Sequence, residues 1–226
     1  MSLSVLRWWR EFEGTRWGAV LLGNVWPAYL FALPLGVRIW NLAKLSDASV
    51  ARVLQELSTI IFLGLVVVLF AVRRRTVHGP RAAWHAGLIA LVGTFLLNIV
   101  GYLPVESTTP TESLLASTVI IVAGTLFTTW SLAVLGRCFG IMPEARGLVV
   151  RGPYRWVRHP VYFGELVSAL GMVVAKPHPL VLAMYAAFVL LQYWRTLLEE
   201  RALARAFPAD YPPYRARVPR LVPGWR

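Results

Sequence analysis

An arginine and two acids stand near the end of the last apolar run of this chain, in the stretch WRTLLEERALARAF from Trp194 to Phe207. Arg195 and Glu199 are four residues apart, so on a helix they share a face, while Glu200 lies about 100° around it. At that spacing the plain outcome is an ion pair on a helix surface. Two acids at the inner end of an apolar helix also invite a cationic partner, and a carboxylate facing a cavity between membrane helices is a candidate for function. A second cluster precedes them in GLVVRGPYRWVRHPVYFGELVSALG, Gly147 to Gly171. The X-Pro step His159–Pro160 keeps His159 out of the helical region, and Pro160 can then open a helix in its first turn. His159 and the free N–H groups after it would sit at a helix N-terminus, a setting that suits a carboxylate or another anion. The alternative is a helix start anchored at an interface by arginines. The third cluster is the tail DYPPYRARVPRLVPGW, Asp210 to Trp225. Its prolines preclude a long helix, yet Tyr211, Tyr214, Val218 and Leu221 give it something to pack. That predicts a docked lid rather than a disordered basic tail.

The elements that must position these groups are apolar. Of 226 residues, 57% are hydrophobic and only 15% charged, where a soluble domain carries about 25% charged. These proportions exclude a disordered chain, a fibrous repeat and an ordinary cytosolic globule, and leave an all-α, polytopic helical membrane protein. There is room for about five to seven spans of about 20 residues each, and none for a large extra-membrane catalytic domain. Leu3 to Glu13 reads as an interfacial amphipathic helix, with Trp8 and Trp9 beside charges. Spans are predicted over Trp17–Trp40, Leu54–Val72, Ala83–Leu103 and Leu114–Leu135, followed by the apolar segments Val161–Ala175 and Leu180–Leu198. Val161–Ala175 is short for a span, which implies tilt or partial insertion. Five to six transmembrane helices are thus expected. Residues 1–135 form an interfacial helix and four spans, and residues 136–226 form the region that would do chemistry.

The cations orient this arrangement. With the N-terminus inside and six segments, the inner regions hold Arg7, Arg10 and Arg16, then Arg73 to Arg75 with Arg81. They also hold Arg137, Arg146, Arg151, Arg155 and Arg158, and every arginine from Arg195 onward. Only Arg38, Lys44, Arg52 and Lys176 of the 23 Lys and Arg fall outside. The positive-inside rule therefore predicts both termini in the cytoplasm. It also accounts for the +12 charge without a nucleic-acid partner. The single cysteine, Cys138, permits no intramolecular disulfide. His78, His85 and His178 lack metal-ligand spacing, so no metal is expected. Apart from Glu165, which either lines a cavity or pairs with an arginine, the early spans carry almost no charge, and an ion path is disfavoured.

Taken together, GPYRWVRHPVYFG, EERALARAF and YPPYRARVP resemble the isoprenylcysteine carboxyl methyltransferase and phospholipid methyltransferase superfamily. These are small integral-membrane enzymes that use S-adenosylmethionine. The resemblance covers about the C-terminal 40% of the chain, in three blocks of the right order and spacing. It implies that Gly147, Leu148, Val149, Tyr154 and the run His159, Pro160, Val161, Tyr162 surround the cofactor, with Glu199 contacting it. It further implies that Arg195 faces the methyl acceptor and that Glu200 serves catalysis as the second acid of the EE motif. Gly147 and Arg151 depart from the prenylcysteine enzymes.

The chemistry of these residues agrees. Glu199 can pair with the ammonium of S-adenosylmethionine, and Tyr154, Tyr162 or Trp156 can pack its adenine or its cation. No GxGxxG follows a predicted strand, which excludes a soluble Rossmann-type methyltransferase. The expected acceptor is a lipophilic or lipidated molecule, most simply a carboxylate of isoprenylcysteine type held by Arg195. A phospholipid amine, a small thiol, or a non-catalytic protein that keeps the fold are the alternatives. With an amine or a thiol a base is needed, and His159 or Glu200 would supply it. The expected location is a bacterial inner membrane.

Overall fold

The structure is a computed structural model that describes residues 15, 21–44, 49–74, 89, 92–93, 96, 111–141 and 144–224. The predicted interfacial helix Leu3–Glu13, and all but four residues of the predicted span Ala83–Leu103, lie outside the described residues. Those described form six α-helices and no strand. After a π-turn, Leu21–Val25, α1 runs Trp26–Ala43 and α2 runs Val50–Val72. Then come α3 (Thr111–Leu135), α4 (Pro160–Ala175), α5 (Pro179–Ala206) and the short α6 (Tyr211–Arg217).

Three described helices are long and apolar enough to cross a membrane: Val50–Val72, Ser113–Cys138 and Pro179–Ala206. Their outer surfaces leave Val68, Val119 and Leu190 more than half exposed. Such faces would be anomalous in water and are ordinary against lipid. This is an integral membrane protein. The 28 residues of α5 extend about 42 Å at 1.5 Å per residue. That exceeds a hydrocarbon core of about 30 Å, so the charged final turns carrying Glu199 and Glu200 reach past it.

Sequence and packing agree closely between α3 and α4. Small residues line both: Gly124 and Thr128 on α3 face Gly164 and Ser168 on α4. A Cβ at Gly164 would lie 2.9 Å from the Gly124 carbonyl oxygen, and one at Gly171 2.6 Å from Ile121. Absence of side chains lets the backbones approach, as is usual where lipid supplies no hydrophobic drive between helices. Hydroxyls are satisfied inside the interface: Thr128 donates to the Gly124 carbonyl at 2.9 Å, and Thr125 and Ser168 share a 3.2 Å bond. At 16 residues, α4 is about 24 Å long, short of the core as its sequence predicts. Lying along α3 is what buries it.

A second cluster joins α1, α2 and the end of α3. Phe70 stacks on Phe31 at 5.8 Å and meets Phe139 edge-on at 5.1 Å, above Val66 and Leu132. Gly136, at φ 55°, ends α3 in the left-handed conformation that only glycine adopts freely. The chain then ties back to α2: the Arg74 amide donates to the Arg137 carbonyl (2.7 Å), and Arg137 Nε donates to the Val72 carbonyl (2.9 Å). The ends of α2 and α3 are thus joined on one side of the membrane, where the polar segment begins.

Candidate active site

Four pieces of chain converge around the C-terminal end of α5. The stretch Glu144–Val149, neither helix nor strand, is one of them. Gly152–Arg155 makes a short 3-10 turn, after Gly152 at φ 57°. Pro160 then opens α4 in its first turn, with His159 outside the helix at φ −125° and ψ 62°. The tail closes the arrangement. Arg158 and His159 donate their amides to the carbonyls of Pro219 (2.9 Å) and Arg220 (3.1 Å), and the Tyr214 hydroxyl donates to the Tyr154 carbonyl at 2.8 Å. The tail is docked, and it holds the loop in front of α4.

Between these pieces and the helices lies a cleft of about 1110 Å³ of empty space, counted out to its mouth. Nine of the eleven residues singled out from sequence line it: Gly147, Leu148, Val149, Tyr154, His159, Val161, Tyr162, Arg195 and Glu199. Its remaining wall is largely apolar, with Phe31, Phe62, Val66, Leu132 and Phe139. Pro160 and Glu200 do not line it. Pro160 is buried in the start of α4. Glu200 is buried behind the cleft, its carboxylate 2.9 Å from Arg220 and 3.0 Å from Arg158. Glu144 and Arg146 line the cleft without having been singled out. They form a 2.6 Å ion pair, and Arg146 also donates to the Arg74 carbonyl.

The polar groups form one chain of contacts. Tyr162 donates its hydroxyl to Glu199, whose other oxygen is 3.5 Å from His159 Nδ1. His159 Nε2 lies 3.4 Å from Glu200, and its ring stacks on Tyr162 with centroids 5.7 Å apart. The Arg195 guanidinium lies over the Tyr162 ring, 4.6 Å from its centroid. Arg195 and Glu199 share a helix face as the spacing predicts, but their hydrogen bonds go elsewhere. Arg195 donates to Gln192 at 3.0 Å, and Gln192 donates to Glu165. Gln192 was not foreseen; the signal for it was a lone amide in the apolar run VLLQYWR.

Burial and charge act in opposite directions on the site. Burial pulls the His159 imidazolium down, but hydrogen bonds and charge from Glu199 and Glu200 more than compensate, leaving it above 6.5. Burial, with Glu199 beside it, holds the Tyr154 phenol well above 10 and therefore neutral. The cleft thus offers a partly exposed carboxylate at Glu199 and buried neutral phenols. It also offers a buried guanidinium, at Arg195, whose Nε has no hydrogen-bond partner among the described residues. Such an arrangement can hold a cation beside an anion against apolar walls, with water restricted.

The phospholipid methyltransferase family matches residues 113–210, which takes in α3 through the last turn before α6. Protein-S-isoprenylcysteine O-methyltransferase A of Arabidopsis thaliana is 27% identical over 203 residues, spanning 79% of this chain and 96% of that protein. Among solved structures, a eukaryotic intramembrane Ras methyltransferase, ICMT (isoprenylcysteine carboxyl methyltransferase), aligns with a TM-score of 0.42 and 15% identity. That alignment covers 97% of this chain and 92% of the other. The family match thus takes in the segment that carries the RHPVY and EE motifs.

Proposed function

We propose that this chain is an S-adenosylmethionine-dependent membrane methyltransferase whose acceptor is lipophilic and carries a carboxylate of isoprenylcysteine type. The observation that carries the reading is the two-sided character of the cleft. Glu199, Tyr162, His159 and Arg195 lie together in a space whose wall also carries phenylalanine, valine and leucine side chains. The residues fit the cofactor's groups. Glu199 is 25% exposed and has room to take an ammonium. Tyr154 and the Gly147–Val149 strip offer an aromatic and backbone surface for a flat base. When bound, S-adenosylmethionine supplies a methyl group on a cationic sulfur.

The protein's part is then alignment and exclusion of water. A carboxylate acceptor is already a nucleophile at neutral pH and needs no base, so Arg195 would orient it by a charge-assisted contact. Its hydrocarbon portion would lie against the apolar wall. The docked tail, with Tyr211 and Tyr214 facing the cleft, would restrict water. Glu200 would act by holding Arg158, His159 and Arg220 in place rather than by touching substrate.

Calorimetric titration of the detergent-purified protein with S-adenosylmethionine and S-adenosylhomocysteine tests the reading. Glu199→Ala removes a charge-assisted contact and is expected to weaken cofactor affinity by about 1.5–3 kcal/mol. Arg195→Ala is expected to leave that affinity intact and depress methylation of N-acetyl-S-farnesylcysteine. Absence of binding by a folded sample would favour a non-catalytic protein of the same fold. Methylation of a phospholipid amine or a thiol in its place would correct the acceptor.

A further inference from the structure

Arg195 is held by neighbours that the proposed reaction does not itself use. Gln192, one turn earlier on α5 and wholly buried, accepts from Arg195 Nη1 at 3.0 Å. The amide nitrogen of Gln192 donates to Glu165 on α4. Glu165 accepts this bond, so it decides which end of the amide faces it and leaves the amide oxygen for Arg195. Across from this pair is Gly93, in the apolar segment between α2 and α3. A Cβ there would stand 3.0 Å from Arg195 Cδ, 3.6 Å from Nη1 and 3.6 Å from the Gln192 amide oxygen. The guanidinium rests on the ring of Tyr162. A long arginine side chain has high rotamer entropy, yet here each flank is occupied. Among the described residues its buried Nε has no hydrogen-bond partner, which is costly unless a ligand supplies an acceptor.

We propose that Gln192, oriented by Glu165 and given room by Gly93, is a positioning residue that fixes how Arg195 presents its free donor edge to the acceptor's anionic group. The inference rests on the acceptor reading above, and it assigns Glu165 a role through Gln192 rather than direct chemistry. It predicts sensitivity in acceptor binding without sensitivity in cofactor binding. Charge alone at Arg195 is not enough, because methyl transfer depends on alignment.

The test pairs a structure with steady-state kinetics. Gln192→Met keeps the side-chain volume and removes both hydrogen bonds. In its structure with S-adenosylhomocysteine, Arg195 is expected to leave the Tyr162 ring. With N-acetyl-S-farnesylcysteine as acceptor, KM is expected to rise about tenfold or more, with S-adenosylhomocysteine affinity unchanged. Glu165→Gln, whose amide oxygen still accepts from Gln192, is expected to raise KM clearly less than Glu165→Leu, which is expected to match Gln192→Met. An undisplaced Arg195 with an unchanged KM overturns the proposal, as does loss of cofactor and acceptor affinity together. If Gln192→Met fails to fold, the contrast between the two Glu165 variants decides. A wild-type protein that binds S-adenosylhomocysteine but ignores this acceptor counts against the acceptor reading. The displacement of Arg195 in the variant structure then still decides the positioning role.

Discussion

His159 stands where four pieces of chain meet, and the groups facing it fix its charge. Glu199 and Glu200 approach from α5, Tyr162 stacks from α4, and Arg158 adjoins it in sequence. The Arg220 backbone caps its amide from the tail, and the Arg220 side chain shares Glu200 with it. Burial disfavours the imidazolium, but the two carboxylates outweigh burial and both arginines, so its folded pKa lies above 6.5. The sign follows from linkage. A raised folded pKa contributes stability that is fully present below about 6.5 and disappears as pH climbs through the folded value. Melting of the detergent-solubilised protein should therefore show a Tm that declines from neutral pH upward, and His159→Asn should flatten that decline. Identical slopes for the two proteins would mean that another group titrates there.

At the scale of elements, the contact between α3 and α4 is made by what is missing from Gly124, Gly164 and Gly171. Gly164→Val would drive a side chain into Thr128 and the α3 backbone, where nothing flexible can yield. Overpacking of this kind costs about 1–3 kcal/mol. The expected result is a clear drop in Tm with detachment of α4, whereas Gly36→Val on α1, where a Cβ meets nothing within 4 Å among the described residues, should fold normally. A variant at Gly164 as stable as the wild type would show that the two helices are not pressed together. The start of α4 was legible in sequence because the effect of Pro160 on His159 is local and steric. The end of α3 at Gly136 is local in the same sense. The helix pairing was not legible, since glycine and serine in an apolar run carry no address for their partners. Likewise, nothing in EERALARAF tells that Glu200 will meet Arg220, 20 residues on. That contact needs the tail to turn back through α6. The same holds within the site. Arg195 and Glu199 could be placed on one face by arithmetic, but Gln192, Glu165 and Gly93 reach Arg195 from three separate helical segments.

The whole molecule depends on the tail being pinned, and Glu200 is the pin. With its side chain only 5% exposed, it meets Arg158 at 3.0 Å and Arg220 at 2.9 Å, and it lies 3.4 Å from His159. With Arg215 also 4.0 Å away, three arginines and a histidine surround one carboxylate, an arrangement in which the acid cannot be removed cheaply. Glu200→Ala leaves like charges facing one another with little water. Breaking a buried pair from one side costs about 3–5 kcal/mol. Part of that cost can be relieved by letting Arg220 swing into solvent, because its own side chain is 22% exposed. Releasing Arg220 also loosens the backbone bonds from Arg158 and His159 to Pro219 and Arg220, and with them the Tyr214 contact to Tyr154. Local release of the tail is thus expected before global unfolding. Limited trypsin digestion should cut Glu200→Ala at Arg215, Arg217 or Arg220 under conditions that leave the wild type intact. The sidedness of the membrane can be read in the same experiment. If the arginine-rich ends of the chain are cytoplasmic, as charge asymmetry predicts, the variant's tail is cut in inside-out vesicles and protected in intact spheroplasts. Cleavage from the outer face would reverse the topology, and equal resistance of variant and wild type would mean that the tail is held by its tyrosines rather than by Glu200.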